Sequence, residues 1–224
     1  MIISPRVTSP NYTDFSSLSA LLAGPRFAGK TGEDLAVALW ELLVDEQEGI
    51  YHFWPPTERL TGRKVRDPLK LLNCFGWCLC GDNANLLATL HKAAGLEDAR
   101  CVGLKGHVVE EAYYDGAWHL LDADLRAFHR RHPPEQDTIA SGEDCMADAT
   151  LILSQQHPSD PFYRPDVSLE NMAGLYDCAA STWQCVDEHV HTMDFVLRPG
   201  ERLVRGTQPE GKWTWFDSFA EASG

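Results

Sequence analysis

The feature that most constrains this chain is a pair of runs, His107 to Tyr114 and Ala117 to Leu125, joined by Asp115-Gly116. Asp and Gly tolerate the positive φ that a two-residue hairpin turn requires, so the dipeptide predicts two antiparallel strands. A turn of fixed length also fixes register. Tyr114 then faces Ala117, Tyr113 faces Trp118, Val109 faces Asp122 and His107 faces Asp124. With period-2 alternation, His107, Val109, Glu111, Trp118, Leu120, Asp122 and Asp124 share one face. An imidazole is thus predicted beside a carboxylate, Asp124 directly opposite and Asp122 on the diagonal, both within reach. His119 falls on the other face and reads as structural.

Upstream, a cysteine stands where a helix is predicted to begin. From Cys80, the residues Ala84, Leu86, Leu87, Leu90, Ala93 and Ala94 fall on one side of a helix, and Gly95 is a natural stop. Cys80, Ala84 and Leu87 are spaced i, i+4, i+7, which directs the Cys80 side chain along the buried stripe. The first turn of a helix carries unpaired N–H groups and the positive end of the macrodipole, and both favour a thiolate. The Cys80 N–H can also donate to an oxyanion, with Asn73 or the indole of Trp77 as candidates for a second donor. Asp82, in the same first turn, reads as an acid placed to suit the dipole.

Elsewhere the pattern is simpler. Residues 1–30 read as an irregular arm with one short helix around Leu18, Leu21 and Leu22. Thr31 is a candidate cap for a helix carrying Leu35, Leu39, Leu42 and Leu43 through about Val44. Tyr51 to Leu72, with Pro55-Pro56 and Gly62, reads as mostly loop. Arg100 to Leu104 reads as a strand. Glu143 to Leu153 reads as a short helix running into a strand, and Ser168 as the cap of a helix carrying Leu169, Met172 and Leu175. Strands are predicted at Met193 to Leu197 and Arg202 to Val204 around Pro199-Gly200, followed by a polar tail from Gly206 with Trp213, Trp215 and Phe216 as anchors.

Hydrophobic residues make up 44% of 224, enough for a substantial core. The formal net charge of −14 argues against a nucleic-acid-binding face and against docking on anionic lipid. No apolar run approaches a membrane span, and no secretory signal is apparent, so a cytoplasmic location is expected. The seven cysteines are an odd number in a chain of ordinary size, which fits a reducing compartment better than a disulfide framework.

Cys80-Gly81-Asp82-Asn83-Ala84, followed by Leu87, Leu90, Ala94-Gly95-Leu96 and Ala99-Arg100, resembles the nucleophile helix of the transglutaminase-like superfamily. Gly106-His107-Val108-Val109-Glu110-Glu111 resembles its histidine strand. Asp115-Gly116-Ala117-Trp118-His119-Leu120-Leu121-Asp122 resembles its turn, tryptophan and aspartate strand. The likeness spans roughly Gly76 to Leu125. It implies a papain-like α+β fold, a helix bearing the cysteine packed on an antiparallel sheet. It implies Cys80 as nucleophile, His107 as base and Asp122, rather than Asp124, as the residue that orients the base. The implied domain runs over residues 31–205. The implied chemistry is acyl transfer or hydrolysis at amide bonds of a protein or peptide-like substrate, without a cofactor. Cys78 departs from the pattern, where many relatives carry a small residue, and offers a rival nucleophile.

Two other readings accompany this one. Members of the superfamily can lose activity and persist as binding modules. Cys74, Cys78 and Cys80 with Cys101 or His107 could instead ligate a structural metal, although C-x3-C-x-C is not the usual paired knuckle. Cys185, His189 and His191 form a further loose cluster that a surface strand explains equally well.

Overall fold

Asp115 and Gly116 have φ of 52° and 77°, the left-handed pair that the dipeptide predicts. The fold is that of a computed structural model, which describes residues 2–3, 13–46, 48–52, 66, 68–72, 76–131, 137–154, 167–179, 181–184, 196–197, 206–207 and 213–214. Strands β5 (His107–Tyr114) and β6 (Ala117–Leu121) pair in the predicted register, from Tyr114 opposite Ala117 to Glu110 opposite Leu121. The ladder stops there. At Asp122 the chain bends into a tight loop, and Asp122 and Ala127 exchange backbone hydrogen bonds. The predicted pairings of Val109 with Asp122 and His107 with Asp124 therefore do not form. The residues past Leu121 hydrogen-bond to their own loop instead of continuing the strand.

Strand β4 (Asp98–Leu104) lies on the other side of β5, antiparallel, with Leu104 opposite His107. Lys105-Gly106 is thus a second two-residue turn, with Gly106 at φ 76°, and it sets His107 at the very start of its strand. Strand β7 (Ser181–Gln184) completes a four-stranded antiparallel sheet in the order β6-β5-β4-β7. With helices packed against it, the class is α+β. Three two-stranded pairs stand apart. Strand β2 (Tyr51–His52) runs parallel to β3 (Trp77–Cys78), β1 (Ile2–Ile3) pairs with β8 (Val196–Leu197), and β9 (Gly206–Thr207) pairs with β10 (Trp213–Thr214).

One face of the sheet receives the helices of the first half. These are α1 (Leu18–Leu22, capped by the Ser17 hydroxyl), α2 (Gly32–Val44), the single turn α3 (Pro68–Lys70) and α4 (Cys80–Ala93). Leu39, Leu42, Leu43, Leu86, Leu87 and Leu90 meet Ala112, Tyr114 and Leu121 there. Phe15, Leu21 and Phe27, from the arm, are part of the same core. The helix α4 is buried almost all round, including Asp82, Asn83, Asn85 and His91.

The opposite face is covered as well. Helices α5 (Gly142–Ala147), α6 (Thr150–Leu153) and α7 (Leu169–Leu175) bring Cys145, Leu151, Ile152 and Met172 onto Val102, Val109 and Leu120. Where the sequence suggests a helix running into a strand before Leu153, the chain makes two short helices. Ser141 and Asp144 form a reciprocal capping box at the first of them. Glu111 joins the two layers. Its carboxylate accepts from the Gly142 N–H at 2.7 Å and from Arg100 Nε at 2.8 Å, and Arg100 stacks 3.9 Å above the Trp118 ring. Among the described residues, no helix is long and apolar enough to cross a membrane. The predicted strand at Arg202 to Val204 and the Cys185, His189 and His191 cluster lie outside the described residues.

Candidate active site

Gly76, at φ 72°, and the two-residue strand β3 deliver the chain to Cys80, the first residue of α4. Leu79 at the N-cap supplies no side-chain acceptor, and its carbonyl takes the N–H groups of Asp82 and Asn83, so the N–H groups of Cys80 and Gly81 stand ahead of that carbonyl at the helix start. Cys80 is half-buried rather than sunk along the stripe. Cys78 is 1% exposed, and burial first, then the charges of Asp82 and Asp124, push its thiol well above the ordinary range. A thiol held protonated in the core is a poor nucleophile. Burial thereby separates the two cysteines in favour of Cys80, the one to which the Cys80-x-x-x-Ala84 spacing and the helix start belong.

His107 and Asp122 meet across the ends of their strands. His107 Nε2 lies 2.7 Å from Asp122 Oδ2, and the two side chains are 7% and 5% exposed. Asp122 is held on every side. Its Oδ1 accepts the N–H groups of Asp124 and Leu125 at 2.9 and 2.8 Å, and its carbonyl accepts the indole N–H of Trp40 at 3.0 Å. The bend after β6 thus sets the carboxylate at the far nitrogen of the ring, a geometry that strand continuation would not provide.

The Cys80 side chain stands close enough to the imidazole to favour its charged form. Burial opposes charge on the ring. The Asp122 charge and hydrogen bond, then the neighbouring Cys80 side chain and the Asp124 charge, outweigh it and raise His107 to about 11. The nearby His129 behaves oppositely. Burial lowers it to about 4 despite Asp122. Of the two imidazoles near Asp122, the one held in its charged form is the one beside Cys80.

Three further features lay beyond the reach of sequence reasoning. His52 Nδ1 contacts both carboxylate oxygens of Asp124, at 2.7 and 2.9 Å. Arg66 Nε lies 3.4 Å from Asp82 Oδ1, so Asp82, in the first turn of α4, is also the fully buried partner of a guanidinium. The helix α4 is tied to strand β5 by His91 Nδ1 and Glu110 Oε1 at 2.7 Å, both side chains fully buried, while His91 Nε2 lies 3.1 Å from the Ala36 carbonyl in α2. Burial raises the Glu110 carboxyl, with His91 opposing. His119 plays a packing part. Its ring stacks on Tyr114 at 3.8 Å and lies 2.7 and 3.2 Å from the carbonyls of Ile139 and Tyr114. Asn73, Cys74 and the Trp77 side chain lie outside the described residues. Among the described residues, no three His, Cys, Asp or Glu side chains are grouped to hold a metal ion.

The geometry defines an α+β fold with a cysteine at a helix start, an imidazole beside it and a carboxylate 2.7 Å behind the imidazole. Compared with protein-family models, curated proteins and solved structures, the chain shows no significant match to any.

Proposed function

We propose that this protein is a thiol-dependent acyl-transfer or hydrolytic enzyme acting on amide bonds of a protein or peptide-like substrate, with a transglutaminase-like, papain-like core. The observation that carries the reading is the 2.7 Å contact of Asp122 with His107 Nε2, with Cys80 beside the ring at the start of α4. A resident imidazolium stabilises a thiolate electrostatically, and the helix start adds to the effect. The thiolate attacks the substrate carbonyl. The developing oxyanion is met by backbone N–H groups of the first turn, Cys80's among them. His107 then gives its proton to the leaving amine, and an acyl-enzyme remains. Water or a second amine, deprotonated by the now neutral ring, attacks the acyl group and releases Cys80. Asp122 holds the ring in the required tautomer throughout and stays ionised.

The test is a peptidyl vinyl sulfone, a thiol-selective electrophile, followed by peptide mapping. The proposal expects Cys80 to be modified first among seven cysteines. Equal labelling of several, or labelling of Cys78 instead, is the opposite result.

A further inference from the structure

Asp124 is a buried carboxylate, 3% exposed at the side chain, between two imidazoles. Both its oxygens contact His52 Nδ1, at 2.7 and 2.9 Å, and its Oδ2 lies 4.0 Å from His107 Nδ1. Asp122 occupies His107 Nε2, so Nδ1 is the nitrogen left to serve the thiol. A carboxylate 4.0 Å from that nitrogen is a competitor for it. Movement of about 1 Å would place it in hydrogen-bond contact, since charged N–H···O bonds close at about 2.7–2.9 Å.

We propose that His52 is a positioning residue that holds the Asp124 carboxylate away from His107 Nδ1 and so keeps that nitrogen available to Cys80. The inference rests on the reading of Cys80 and His107 as nucleophile and base. Without the His52 donor, the buried carboxylate would lose two close contacts, a costly condition for an ion, and among the described residues His107 Nδ1 is a charged donor within reach at 4.0 Å. An imidazolium held at both nitrogens by Asp122 and Asp124 cannot bond the thiol or accept its proton. The strand β2 serves this end. It is two residues long, and His52 sits opposite Cys78 in the parallel pair, which brings a distant segment to the foot of the cysteine helix.

The experiment measures the alkylation rate of Cys80 by iodoacetamide at neutral pH, with thermal unfolding of each variant alongside. His52→Ala is expected to slow alkylation by about tenfold, the range open between an assisted thiolate and a thiol only a few per cent ionised. His52→Asn, whose amide N–H can stand near the place of Nδ1–H, is expected to recover most of the rate. In an Asp124→Asn background, His52→Ala is expected to have no further effect, because the competing carboxylate is gone. A His52 that merely supported the fold would slow the reaction equally in both backgrounds, and that result overturns the proposal. So does an unchanged rate in His52→Ala. Should wild-type Cys80 show no preference over the other cysteines, the reading of the site fails instead, before any His52 variant is considered.

Discussion

Replacing Asp122 by Asn separates chemistry from architecture at this site. The asparagine carbonyl can still accept the N–H groups of Asp124 and Leu125, which now lie 2.9 and 2.8 Å from Oδ1. Its amide nitrogen then takes the place of Oδ2 beside His107 Nε2. An amide donates there, so Nε2 must present its lone pair, and the neutral ring carries its hydrogen on Nδ1, the wrong tautomer for accepting a thiol proton. The electrostatic loss is large as well. Opposite unit charges 2.7 Å apart attract by about 6 kcal/mol at an effective dielectric near 20. At about 1.4 kcal/mol per decade, that is about four decades of support for the imidazolium. Turnover should fall by about 10⁴, as it does when the aspartate of a serine-protease triad is changed in this way. Alkylation of Cys80 at neutral pH should fall by about tenfold, because an unassisted thiol is still a few per cent ionised. Stability should fall by only about 1–2 kcal/mol, the charge assistance of one hydrogen bond. Asp124→Asn, by contrast, should cost the wild-type chain far less turnover. Turnover, alkylation kinetics and urea unfolding of the two variants test all of this. An Asp122→Asn protein that turns over like wild type, or an Asp124→Asn protein that is the more impaired, refutes the assignment.

Three other outcomes are expected. Cys80→Ala should abolish activity with the fold intact, while Cys78→Ala should spare most activity and lower stability, since it removes a buried sulfur; activity assays with circular dichroism decide between them. The second concerns pH: His107 is raised to about 11, so the stability it contributes is fully present below the ordinary histidine range near 6.5 and is lost as pH rises through about 11. Urea unfolding of wild type and His107→Gln should therefore show a gap that narrows with rising pH, by at most about 1.4 kcal/mol per pH unit, and a gap that widens counts against the charged pair. Finally, His91→Ala should destabilise the protein by about 3–5 kcal/mol, because it strands Glu110 between α4 and β5 without its partner. Denaturant unfolding measures it, and a loss below about 1 kcal/mol would show that the site collapses around the gap.

What the sequence determined by itself was local. Asp115-Gly116 dictated a primed turn, and the turn dictated five correct pairings down to Glu110 and Leu121. The apolar period from Cys80 to Ala93 dictated a helix with a cysteine at its start. Turn chemistry and side-chain period act between near neighbours, so they can be read without the rest of the chain. What only the tertiary structure decided was where those elements stop and what approaches them. Period 2 carried the hairpin on to Asp124, but the chain leaves the sheet at Asp122, where the indole of Trp40, far away in sequence, and two N–H groups of the next loop compete for it. Nothing in Tyr51-His52 signals a strand, because two residues have no period and their partner lies beyond a long intervening segment. The burial of Asp82 against Arg66 and the second core on the far face of the sheet are of the same kind. Each is settled by packing between distant segments, where burying apolar area and satisfying buried polar groups outweigh the preferences of any single stretch.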